Sequence, residues 1–134
     1  MTEYNQPDIG SYRQRFSQIA TMMRLPHVED ASALDIAFAG VPYDMGVFFR
    51  PGARLGPTQI REMSRMLRNG HTATHVAPFK LCQVADVGDA PVNPMNVEGS
   101  IERITGFFAN LVARGVAPLA MGGCHTIRCR SCAA

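Results

Sequence analysis

LDIAFAGVPYDMGVFFRPGARLGPTQIREMSRMLR, residues 34–68, carries the pattern on which the fold turns. Leu34 to Val41 is an apolar run bounded by polar residues and stopped by Pro42, the signature of a buried strand. Residues 42–57 then hold two punctuation points, Pro51-Gly52 and Gly56-Pro57, and too little periodicity for a helix. A loop of that length inside a compact domain is functional or covers an interface. From Gly56 to Arg68 the pattern changes again. Pro57 sits where a first helical turn accepts proline, and Ile60, Met63, Met66 and Leu67 share one face, predicting an amphipathic helix.

The rest of the chain repeats this alternation. Residues 1–33 read as an irregular arm with one short helix around YRQRFSQIATMMRL (12–25), closed by Pro26. KLCQVADVGD (80–89) predicts a second strand stopped by Gly88. NPMNVEGSIERITGFFANLVARG (93–115) places Val97, Ile101, Ile104, Phe108, Leu111 and Val112 at helical spacing, with Gly115 as its C-terminal cap. VAPLAMGG (116–123) is a third apolar strand running into a glycine pair. Strands alternating with helices mean βαβ units and a parallel sheet. Such sheets bind ligands beyond the carboxyl ends of their strands, which would gather Asp44, Asp86, Asp89 and His125 at one edge.

Composition narrows the class. The chain has 134 residues, one domain's length, with 46% apolar and only 18% charged residues. So little charge, with eight Met and no Trp, points to apolar surface covered by further protein. The net charge of +2 is dispersed, so neither a nucleic-acid footprint nor a basic membrane patch is expected. The N-terminus is polar and no run is long enough to span a bilayer, so the expected location is the cytoplasm, with reduced thiols.

GVPYDMGVFFRPGARLGPTQIREMS (40–64) resembles the N-terminal signature of the ureohydrolase family, the arginases, agmatinases and guanidinobutyrases. Its members read G-V-P-x-D followed by R-x-G-x-R-x-G-P-x-x-I-R. VADVGDAPVNP (84–94) resembles the family's next strand and loop, and APLAMGGCHT (117–126) its G-G-D-H-[ST] strand end. The style is that of agmatinase-like members. The resemblance implies a three-layer α/β/α parallel-sheet fold, present here only as its N-terminal part, over residues 34–127. It implies hydrolysis of a small guanidino compound, agmatine first, to urea and an amine such as putrescine. It also implies two Mn²⁺ ions whose shared hydroxide attacks the guanidinium carbon, and a homo-oligomeric intact enzyme. His125 matches the metal-binding histidine of G-G-D-H. The other ligands belong to D-A-H-x-D and S-x-D-x-D, which this sequence lacks, so the chain is expected to be an inactive fragment. Cys124 stands where the family has Asp, which puts the order around His125 in doubt.

Several residues admit two readings. Asp44 and Asp86 are candidate active-site carboxylates or local loop caps. Arg50 and Arg54 can bind a carboxylate, but the family pattern favours loop bracing or a subunit contact. His71 and His75, in HTATH, read as solvated loop histidines rather than a metal pair, and Phe48–Phe49 as packing. The end of the chain, 128–134, reads RCRSCAA. With Cys124 it forms C-x4-C-x2-C, a spacing that can hold an iron–sulfur cluster or zinc, but no fourth ligand lies nearby. A frameshift explains it better. A family-like T-L-P-I-L-R-G in G/C-rich codons, losing one base, translates as RCRSCAA. The competing functions are therefore a truncated ureohydrolase, a non-catalytic chain that associates with homologous subunits, and a small Cys-tail metal binder.

Overall fold

The computed structural model describes residues 4–8 and 14–125. The 128–134 tail, with Cys129 and Cys132, lies outside the described residues. Five main elements follow one another: β1 (Ile36–Gly40), α1 (Gly56–Ser64), β2 (Val84–Asp89), α2 (Val97–Ala113) and β3 (Ala117–Met121). Single 3-10 turns stand at Met22–Arg24, Ala53–Leu55 and Pro78–Lys80.

The strands form a parallel sheet in the order β2-β1-β3, with Ile36 opposite both Val84 and Ala117. The chain steps from β1 to one side, then crosses back over β1 to reach β3. Right-handed crossovers in opposite directions put α1 and α2 on opposite faces. Alternation along β1 divides its side chains between two cores. Ala37, Ala39 and Val41 join Ala85 and the α2 residues Ile104, Phe108 and Leu111. Phe38 turns the other way, to Leu25, Phe79, Val84 and Met121.

Local chemistry sets the ends of α2. The Asn96 side chain accepts from the Gly99 amide at 2.8 Å, an N-cap, and Gly115 takes the positive φ of a C-terminal cap. Ser100 is fully buried on the same helix. Its hydroxyl accepts from the Asn93 amide at 2.8 Å and lies 2.7 Å from the Asn93 carbonyl, to which it donates.

The sheet's two edges differ. Beside β2 runs the arm: the Val28 amide donates to the Asp86 carbonyl at 3.0 Å and the Asp86 amide to the Pro26 carbonyl at 3.1 Å. Beyond β3 no strand pairs among the described residues, and Leu119 is 49% exposed.

Four expectations change. No α-helix forms among the described residues of the arm; Met23 and Arg24 adopt positive φ, which breaks helical continuation. Residues 80–83 stay outside β2 because a 3-10 turn begins at Pro78. Phe48 and Phe49 are exposed rather than packed, with the Arg50 guanidinium 5.1 Å from the Phe49 ring centroid. The fourth is α1, which turns its apolar face outward. Met63 is 72% exposed and Ile60 is exposed with it, while Pro57, Arg61 and Ser64 are buried; the helix ends at Ser64 rather than at Arg68, and Met66 and Leu67 lie exposed in the turn beyond it.

Candidate functional site at the carboxyl edge of the sheet

The edge is built around the loop that follows β1. Asp44 is buried, and its carboxylate gathers the loop onto itself. One oxygen accepts from the Gly52 amide at 2.7 Å and the Arg54 amide at 3.3 Å; the other accepts from Arg54 Nε at 2.7 Å and pairs with Arg54 Nη2 at 2.6 Å. Burial alone pushes the Asp44 carboxyl up. The Gly52 and Arg54 hydrogen bonds and the guanidinium charge outweigh it and hold the group below its ordinary value. Asp44 is thus the cap of its own loop, and Arg54 its brace, as the bracing reading expects.

The gathered loop then clasps the end of β3. Gly56 and Pro57 lie against Gly122, where an added Cβ would come within 2.5 Å of Pro57 Cδ, and φ at Gly122 is +78°. Only glycine fits there. The Gly123 amide donates to the Ala53 carbonyl at 3.4 Å, and the Cys124 amide to the Tyr43 carbonyl at 2.9 Å. His125 follows at once, exposed, at the carboxyl end of the sheet.

A second brace lies under α1. Arg61 donates to both Asp86 oxygens at 2.8 and 2.9 Å, to Asp89 Oδ1 at 2.7 Å and to the Gly88 carbonyl at 2.9 Å. Asp86 is 0% exposed and also accepts from the Met22 amide at 2.7 Å and the Gly88 amide at 2.9 Å. Burial pushes its carboxyl up, but the Arg61 and amide hydrogen bonds hold it below its ordinary value. The Asp86 hydrogen bonds raise Arg61 in turn. Charge satisfied on this scale ties β2, α1 and the arm together.

The expected gathering of Asp44, Asp86, Asp89 and His125 is therefore only partly met. All come from segments near one edge, but Asp44 is spent on its loop and Asp86 on Arg61, because both need partners to be buried as charges. Among the described residues no group of three or more His, Cys, Asp or Glu side chains is placed to hold a metal ion. His125 with these neighbours does not fit a two-metal centre by itself. His71 and His75 lie in an exposed turn, where the Thr74 hydroxyl is 2.9 Å from His71 Nδ1. Cys82 is a free thiol outside β2. Sequence reasoning assigned no role to Arg61 or Tyr43. The helical neighbours of Arg61, Pro57, Ser64 and Arg65, form no pattern that calls for a buried partner, so the sequence carried no signal for it.

A twisted parallel sheet with a helix on each face and a glycine-proline clasp at its carboxyl edge defines an α/β domain of the ureohydrolase kind. The chain belongs to the arginase family, whose model matches residues 34–134. It is 42% identical over 125 residues to guanidinopropionase of Pseudomonas aeruginosa, covering 93% of this chain and 39% of that one. Guanidinobutyrase of the same organism is 44% identical over 126 residues, covering 92% and 40%. Mitochondrial agmatinase of Gallus gallus is also 44% identical over 126 residues, covering 94% and 37%. Among solved structures, proclavaminate amidino hydrolase from Streptomyces clavuligerus superposes with a TM-score of 0.84 at 32% identity, over 88% of this chain and 39% of that one. Formiminoglutamase of Trypanosoma cruzi with Mn²⁺ gives 0.65 at 25% identity, over 76% and 35%. The chain spans about two fifths of the length of the curated relatives it matches.

Proposed function

We propose that this chain is the N-terminal part of an amidinohydrolase that releases urea from a linear guanidino compound, with agmatine the first candidate substrate and guanidinobutyrate the second. The observation that carries the reading is the clasp: the Asp44-capped loop, built from the family's own signature residues, seats the strand end that presents His125. In this reading His125 is one metal ligand of a Mn²⁺ site. The remaining ligands come from segments that the 134 residues do not contain, and the chain alone is inactive. Its own residues supply placement. Asp44 and Arg54 hold the loop, Gly122 allows the close approach, and Arg61 fixes β2 against α1.

Two measurements test this. Urea release by the purified chain with Mn²⁺ and agmatine, guanidinobutyrate or guanidinopropionate should be nil; turnover would overturn the inactivity. Sequencing the gene onward from the Met121 codon should find, in this frame or a shifted one, a helix and then D-A-H-x-D and S-x-D-x-D. A gene with no such frame in any register removes the hydrolase reading for this locus.

One observation favours a second reading, association with homologous subunits in the cytoplasm: the outward apolar face of α1. Sedimentation that finds the chain monomeric, alone and mixed with a full-length homologue, would remove it.

A further inference from the structure

Tyr43 stands at the centre of the clasp with a chemical need the described residues leave unmet. Its side chain is buried, and its hydroxyl is the buried side-chain oxygen that finds no hydrogen-bond partner among the described residues. Its main chain is fully engaged. The amide donates to the Val41 carbonyl at 2.8 Å, and the carbonyl accepts from the Cys124 amide at 2.9 Å. The Cys124 side chain packs against the same apolar cluster that contains Tyr43.

We propose that position 124 is the hydrogen-bond seat for the Tyr43 hydroxyl, and that Tyr43 is a positioning residue which, given a strong acceptor there, ties the strand end carrying His125 to the loop after β1. The thiol at 124 is a weak acceptor, whereas an amide or carboxylate oxygen accepts strongly. Burial pushes the Tyr43 phenol up, and Cys124 adds to the rise. A buried hydroxyl without a strong acceptor weakens folding, and filling the seat recovers that loss while adding a second link beside the main-chain one. The benefit must need the phenolic oxygen. A general improvement in packing at position 124 would not.

The test is a double-mutant cycle on the whole 134-residue chain, read by pulse proteolysis across a urea series. Tyr43→Phe should leave the folding constant within about twofold of its starting value or raise it, because the hydroxyl removed had no strong partner. Cys124→Asn should be favoured about fivefold, and Cys124→Asp about tenfold, when Tyr43 is present relative to the same change in the Tyr43→Phe background. Cys124→Val, apolar and of similar size, should show no dependence on Tyr43. The amides of residues 124 and 125 should exchange more slowly in C124N than in the double variant that also carries Y43F. A loss of more than about tenfold on Tyr43→Phe alone would show the hydroxyl already bonded and overturn the proposal. So would acceptors that act equally well when the phenolic oxygen has been removed. If C124D does not fold, C124N decides the question. The readout is folding and exchange, so it stands or falls apart from the hydrolase reading.

Discussion

Gly122 and Asp44 do at single positions what a longer stretch could not. At Gly122 a positive φ coincides with a backbone approach that leaves no room for a Cβ beside Pro57. Gly122→Ala should therefore cost about 1–3 kcal/mol or more, with the change seen as a lower urea midpoint. Ala at Gly106, where an added Cβ meets nothing, should be harmless or stabilising and serves as the control. Asp44 acts through charge. Its carboxyl is held below the ordinary value in the folded chain, so its contribution is complete above the unfolded carboxylate range, about pH 4, and is lost as acid takes the pH down through the lowered value. Urea midpoints measured from pH 7 to pH 3 should fall less steeply in D44N than in the parent, starting from a lower plateau. Both residues were visible in the sequence, the glycine pair as a strand stop and Asp44 as one of two alternatives. Arg54 was named as a carboxylate binder or brace without its partner, and the Gly52 amide eight positions on was not visible at all, because loop hydrogen bonds have no periodicity to read.

At the scale of elements, α1 shows where pattern reading stops. Helical spacing grouped Ile60 and Met63 on one face, but Met66 and Leu67 fall past the helix end at Ser64. It did not say which face turns inward. Asp86 and Asp89 decide that by drawing Arg61 into the sheet, while the Ser64 hydroxyl accepts from the Met23 amide at 2.8 Å. A buried charge left alone is very unfavourable, so the electrostatic pairing outranks the apolar stripe. Arg61→Ala should destabilise by about 3–5 kcal/mol, and in an Asp86→Ala background the same change should cost much less. Chemical denaturation of the two singles and the double measures this directly. α2 contrasts with α1. Of the six positions its spacing predicts, Ile104, Phe108 and Leu111 are buried, while Val97 and Val112, at its two ends, are exposed.

At the scale of the whole molecule, the controlling features among the described residues are an open sheet edge at β3 and an apolar outer face on α1. A strand whose outer edge pairs with nothing among the described residues, and whose Leu119 is exposed, is a template for further pairing. Leu119→Lys should therefore reduce concentration-dependent self-association in light scattering while leaving the urea midpoint nearly unchanged. The low charge content already pointed to covered apolar surface, and the chain spans only about two fifths of the length of the curated relatives it matches. The amino-acid order alone determined the alternation of strands and helices, the parallel sheet and the family, since each rests on periodicity, punctuation residues or short local motifs. Only the tertiary structure decided that Asp86 is spent on Arg61, that α1 faces outward and that the Tyr43 hydroxyl is buried with no hydrogen-bond partner among the described residues. Those outcomes depend on which buried charges and hydroxyls find partners across tens of residues, and distance along a chain carries no record of distance in space.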